Sequence, residues 1–80
     1  MNLNETIINL ARRGYIVRFK RLSSFAIEIL VSNGRFFTVY GIDITIDNSD
    51  EILCAILENM KEEVDRQDLE YRKEKHDGCN

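Results

Sequence analysis

The chain has no proline and a single histidine, His76, near its C-terminal end. Its four glycines stand apart, at Gly14, Gly34, Gly41 and Gly78. A lone histidine in a polar tail leaves no imidazole base held in a rigid pocket. Scattered glycines do not build a loop that cradles phosphate. No apolar run approaches the roughly 18 residues that span a bilayer. The opening MNLNETIINL has neither a basic region nor a long apolar core, so no secretory signal is expected there. Two cysteines, Cys54 and Cys79, are too few for a disulfide framework, and both are expected as reduced thiols in a cytoplasmic protein. His76, Asp77 and Cys79 cluster in the tail but fall short of the four ligands of a structural zinc site. With no constellation for catalysis, the expectation is a non-enzyme with no metal, no cofactor and no membrane contact.

What is present is a small amphipathic domain. Eighty residues suffice for one domain, expected over 1–76 with a flexible tail at 77–80. A chain this short buries only about 60% of its unfolded surface, so its core must be lean. The composition, 44% hydrophobic and 31% charged, is that of a folded protein rather than a disordered one.

The net charge of -3 hides a split. Residues 1–40 carry Arg12, Arg13, Arg18, Lys20, Arg21 and Arg35 against Glu5 and Glu28, a balance of +4. Residues 41–80 carry twelve acids against five bases, a balance of -7. Such polarity orients encounters with charged partners, although an acidic helix also serves solubility alone.

Leu3, Ile7, Leu10 and Ala11 fall on one helical stripe, with Asn2 or Asn4 as cap and an end near Arg13. Gly14 suits the helix stop, and the two arginines before it complement the helix's negative end. YIVRFK then alternates as a strand, RLSS turns, and Phe25 to Val31 forms a second strand. Asn33-Gly34 is a strong hairpin signal. With those two residues as the whole loop, Ser32 faces Arg35, Val31 faces Phe36 and Ile29 faces Thr38. That register puts Phe25, Ile27, Ile29, Val31, Phe36, Thr38 and Tyr40 on one core face. The opposite face holds Ile16, Arg18, Lys20, Ala26, Glu28, Leu30, Phe37 and Val39, a surface with more hydrocarbon than water favours.

Gly41 is expected to break the third strand. The segment IDITID after it reads as a short fourth edge strand or a connector whose isoleucines tuck under a helix. Asn48 with Glu51 fits a capping box for a second helix. Leu53, Ile56, Leu57, Met60, Val64 and Tyr71 form its stripe, and Glu62–Arg66 and Asp68–Arg72 are favourable pairs four apart. Asp43, Asp47, Asp50 and Glu51 would make an acidic lip where strand gives way to helix.

The order of a helix opening MNLNETI, a strand around Tyr15 and Val17, an antiparallel sheet with a hairpin glycine and an acidic C-terminal helix resembles the small phage-encoded anti-CRISPR proteins that inhibit type II RNA-guided nucleases. The resemblance spans about residues 1–65 in outline. It implies that acids occupy the nuclease site that reads the short DNA motif beside the target, matching its arginines as phosphate does. In this chain the acids placed to do so are Asp43, Asp47, Asp50 and Glu51, with Glu58, Glu62 and Glu63 along the helix.

The expected fold is therefore α+β: an N-terminal helix, a three-stranded antiparallel sheet with a possible fourth edge strand, and a long C-terminal helix, with both helices on one sheet face. The expected function is that of a small phage or mobile-element protein that binds and inhibits a host enzyme or defence complex. Its acidic lip would meet a basic site, with Leu30, Phe37 and Val39 completing the contact or forming a homodimer. Two alternatives are a nucleic-acid-binding accessory protein that uses Arg18, Lys20, Arg21 and Arg35, and a structural homodimer subunit. Nucleic acid is disfavoured by the sequence pI of about 5.1.

Overall fold

The computed structural model describes the backbone of residues 2–43 and 49–78, and the side chains of those residues as far as Lys73. The elements are α1 (Leu3–Arg12), β1 (Ile16–Arg21), β2 (Ala26–Ser32), β3 (Phe37–Asp43) and α2 (Asp50–Gly78). This is the expected α+β order. The sheet is antiparallel in the order β1-β2-β3.

Helix α1 is defined by its ends. Asn2 Oδ1 accepts from the Glu5 N–H at 2.8 Å and so satisfies one of the first-turn donors. At the other end the Gly14 N–H donates to the Ala11 carbonyl and the Tyr15 N–H to the Leu10 carbonyl. Those two bonds make a Schellman motif, and Gly14 takes the left-handed φ of 93° that it requires. The motif turns the chain back so that Tyr15 packs on the core that Leu10 enters.

The β2–β3 hairpin differs from the expected register. Ser32 pairs with Phe37, Val31 with Thr38 and Ile29 with Tyr40, a slip of two positions. The central residues of the loop are Gly34 and Arg35, and Asn33 sits before them. Only Gly34 has a positive φ, so the turn is not the type I′ that would need two. Asn33 Oδ1 instead accepts from the Arg35 and Phe36 N–H groups, both at 2.9 Å. Because the slip is even, every side chain keeps its face. Two other expectations on the strands are corrected. Phe25 lies in the β1–β2 turn, 59% exposed, where the Ser23 hydroxyl accepts from the Phe25 and Ala26 N–H groups. Gly41 does not break β3, which continues to Asp43. The segment 44–48, where a fourth strand was expected, lies outside the described residues.

Both helices cover one face. Leu10, Ile29, Val31, Leu57, Met60 and Val64 form the buried core, flanked by Leu3, Ile7, Tyr15, Val17, Phe36, Ile42, Leu53 and Ile56. Each fully buried aliphatic side chain stabilises the fold by about 1.5–3 kcal/mol before entropy is counted. Tyr40 belongs to this face but stands at its β3 edge, 52% exposed, rather than in the core.

The helices run parallel. Asp50 Oδ2 accepts from the Leu3 N–H at 3.2 Å, Thr6 Oγ1 lies 3.0 Å from Cys54 Sγ, and Tyr15 reaches Asp65. The α2 cap is Ser49, whose carbonyl accepts from the Leu53 N–H and whose hydroxyl accepts from the Ile52 N–H. The expected Asn48 cap lies outside the described residues. Arg66 pairs with Glu63 and Glu70 rather than with Glu62, whereas the Asp68–Arg72 pair forms at 3.3 Å. Beyond Val64, α2 is held by the hairpin tip. Asn33 Nδ2 donates to Asp68 Oδ2 at 3.2 Å, the rings of Phe36 and Tyr71 lie 5.5 Å apart, and the Arg35 guanidinium stands 5.2 Å from the Tyr71 ring centre.

Candidate partner-binding surface

With both helices on one face, none of the described residues covers the other face of the sheet. Antiparallel pairing sets its side chains in rows across the strands. Ile16, Ser32 and Phe37 form the first row. Arg18, Leu30 and Val39 form the second, Lys20, Glu28 and Gly41 the third, and Ala26 and Asp43 the last. Strands lie about 4.8 Å apart and rows about 7 Å apart, so Ile16, Leu30, Phe37 and Val39 make one contiguous apolar cluster. Phe37 is 60%, Val39 46% and Ile16 43% exposed. Leu30 is half-buried among them. The hydrocarbon is gathered at the hairpin end and the charges at the other.

The acidic candidates separate. Asp43 shares the open face with the apolar cluster but sits at its opposite end. Asp50 and Glu51 are exposed at the start of α2, in the helix layer. The Asp50 carboxylate already faces the first N–H groups of α1, a favourable place for negative charge. Asp47 lies outside the described residues. Glu58 and Glu62 are exposed along α2 in line with Glu51, on the side turned away from the core residues Leu57, Met60 and Val64.

The basic candidates are dispersed too. Arg18 and Lys20 are adjacent on the open face, on the β1 edge. Arg21 points to the helix side, and Arg35 sits at the far hairpin tip against Tyr71 and Phe36. No continuous basic track forms from these four residues.

One titratable cluster joins α1 to α2. The Tyr15 hydroxyl donates to Asp65, and Lys61 Nζ lies 3.0 Å from the same carboxylate. Lys61 and Arg13 also stand 5.9 and 6.0 Å from the Tyr15 ring centre. Donation to Asp65 is the main cause that raises the Tyr15 pKa, with burial second. For Asp65 burial works upward, but donation from Tyr15 and Lys61 outweighs it and leaves the carboxyl below its usual range. The cluster ties the α1–β1 connection to α2.

The grooves are small. One of about 200 Å³ lies between β3 and α2, lined by residues including Tyr40, Ile56 and Met60. Another of about 280 Å³ is lined by Asp65, Asp68, Leu69 and Arg72. Neither reaches the roughly 300–1,000 Å³ of small-molecule sites. Among the described residues no group of three or more His, Cys, Asp or Glu side chains could hold a metal ion. No helix among them is long and apolar enough to cross a membrane.

Sequence reasoning placed Ile16 on the open face without naming it as a contact residue, and it placed Tyr40 in the core. For Tyr40 the signal was available: six uncharged residues, FTVYGI, on an edge strand. No protein-family model, curated protein or solved structure matches the chain.

Proposed function

We propose that the chain is a small binding protein that inhibits a host enzyme or defence complex by covering its working surface. The observation that carries this reading is the sheet face that no described residue covers, with Ile16, Leu30, Phe37 and Val39 contiguous and three of the four well exposed. Apolar clusters of that kind, with charge at one end, are used for protein contacts. The anti-CRISPR resemblance adds a class of target, an RNA-guided nuclease of a bacterial host, and a cytoplasmic site of action. In that setting Asp43, Asp50 and Glu51 would be the acids that answer a basic site.

The test is affinity capture of the tagged chain from a bacterial lysate, at low and moderate salt, with and without nuclease. Ile16→Glu and Phe37→Glu are run beside the parent. The expected result is a stoichiometric protein that survives nuclease treatment and is lost with both variants. Nucleic acid alone, lost at moderate salt, would overturn the reading and turn attention to Arg18 and Lys20. A captured protein indifferent to both variants would also overturn it.

A further inference from the structure

The sheet has two outer edges, and they differ in chemistry. The Asn33 N–H donates to the Phe36 carbonyl, so 33 and 36 form a hydrogen-bonded pair and the ladder alternates from there. Phe36, Thr38, Tyr40 and Ile42 thus direct their main-chain groups to β2, while Phe37, Val39 and Gly41 direct theirs outward. None of the described residues pairs with those outward groups. The same count, begun at the Leu22 N–H on the Ala26 carbonyl, sends those of Val17, Phe19 and Arg21 outward from β1. β1 guards its edge with Arg18, Lys20 and Arg21. β3 carries no charge from Phe37 to Ile42, and Phe37, Val39 and Tyr40 are all exposed along it. Natural sheets blunt a free edge with charge, proline or a bulge, and an uncharged edge is a template for another strand.

We propose that β3 pairs antiparallel with β3 of a second copy of this chain, joining two three-stranded sheets into one of six. Outward groups must meet outward groups, which allows few registers. A two-fold axis at Val39 sets Val39 against Val39, Phe37 against Gly41 and Thr38 against Tyr40. The large residue then lies over the residue without a side chain, where a Cβ would meet nothing within 4 Å. Aromatic cover of an edge glycine is a known stabilising pairing. Continued outward, the register brings Asp43 of one copy to the hairpin tip of the other. Centring on Tyr40 sets Phe37 against Asp43. Centring on Thr38 sets Gly41 against Arg35. Both lose the complementarity. The arrangement is also closed. The same edge serves both copies, and the two β1 edges left outside repel further addition through their cations. Tyr40 and the groove it shares with Ile56 and Met60 lie beside the new contact and are covered by it.

The test uses the full chain. Sedimentation over a dilution series reads the mass, and amide exchange by NMR reads the edge. Gly41→Pro removes an outward donor without touching the β2 ladder, at a position outside the left-handed region and with open space around a Cβ. Gly41→Ala keeps the donor. With rising concentration the parent and Gly41→Ala are expected to go from 9.4 kDa to twice that mass. Exchange at the Phe37, Val39 and Gly41 amides of the parent should slow at least about tenfold. Gly41→Pro should stay at the single-chain mass with the Thr38, Tyr40 and Ile42 amides still protected. Should that variant not fold, the exchange pattern of the parent decides alone. A single-chain mass at every concentration would overturn the proposal. So would a dimer whose Phe37, Val39 and Gly41 amides exchange as fast as in the single chain, because its contact would lie elsewhere. Ile16→Glu, on the far strand, should leave the dimer intact and so separates this contact from the partner-binding one.

Discussion

Replacing Tyr15 by Phe removes one hydrogen bond and almost nothing else. The ring stays packed against the core and beside Lys61 and Arg13. What is lost is the donation of the hydroxyl to Asp65, across 50 residues of sequence. A hydrogen bond to a charged group contributes about 1.5–3 kcal/mol. Asp65 is 43% exposed and retains Lys61 at 3.0 Å, so water and lysine take up much of the loss. The net cost should be about 1 kcal/mol, or a Tm lowered by about 4–8 °C in a domain of this size. The pH dependence gives a second reading. Tyr15 has a raised pKa in the fold, so its contribution is complete below the ordinary phenol value of about 10 and is lost as pH rises through the raised one. Asp65 has a lowered pKa, so its contribution is complete above the ordinary carboxyl range and is lost as pH falls through the lowered one. Thermal melts followed by circular dichroism, from acid through neutral to alkaline pH, should show a gap between parent and Tyr15→Phe that is flat near neutrality and narrows at both ends. Equal melting at neutral pH, or a gap that persists unchanged at high pH, would refute the reasoning.

Two further perturbations test the fold at other points. Leu57→Ala empties the middle of the core, where the side chain has no exposure. It should cost about 2–5 kcal/mol, a large share of the roughly 4–12 kcal/mol available to 80 residues, and urea denaturation should show a midpoint lowered in proportion. Gly14→Ala forces a Cβ into a φ of 93° although no neighbouring atom obstructs it. A loss of about 1–2 kcal/mol in the same assay is expected from backbone strain alone, and an unchanged midpoint would show that the Schellman motif can be replaced there at no cost.

The elements were legible because their signals are local and periodic. The α1 stripe, the Gly14 stop, the alternation of YIVRFK and the long α2 pattern all arise within a few residues. Face membership survived even the wrong register, since a slip of two leaves side-chain parity intact. Details failed where two local signals competed. Asn33 could be the first loop residue or the residue before the loop, and its side chain decided by accepting two turn N–H groups. Ser49 and Asn48 are both good caps, and only the helix start separates them. Phe25 looked like core by alternation, but a three-residue turn around Ser23 took it out of the strand. Tyr15–Asp65 and Asn33–Asp68 were not legible at all. They join positions 50 and 35 apart, and no periodicity reports which polar pairs a fold brings together. The candidate site divided in the same way. The apolar half was readable from strand parity. The acidic half did not stay together, since Asp43 lies on the sheet side and Asp50 and Glu51 in the helix layer, a separation that composition does not contain.

The charge split of the sequence acquires a direction once the layers are known. Ile16, Leu30, Phe37 and Val39 face away from the helices, and Glu51, Glu58 and Glu62 lie along the outer side of α2. Apolar contact and acidic field therefore belong to opposite sides of a thin molecule, and Asp43 is the described lip residue that reaches the sheet side. A partner seated on the open face meets hydrocarbon first, with Arg18 and Lys20 along one edge. A partner drawn by the acids approaches the helix layer instead. Steering by charge acts over about 8–10 Å at physiological salt, so the acids can speed encounter without entering a contact on the other side. Specific affinity has to come from the side where desolvation of Phe37 and Val39 is possible. Under the proposed function, inhibition through the sheet would be occlusion by a fitted apolar surface. Imitation of phosphate would be a property of the helix layer. Pairing of two β3 edges would preserve this division, with two apolar clusters on one side of a six-stranded sheet and two acidic helices on the other.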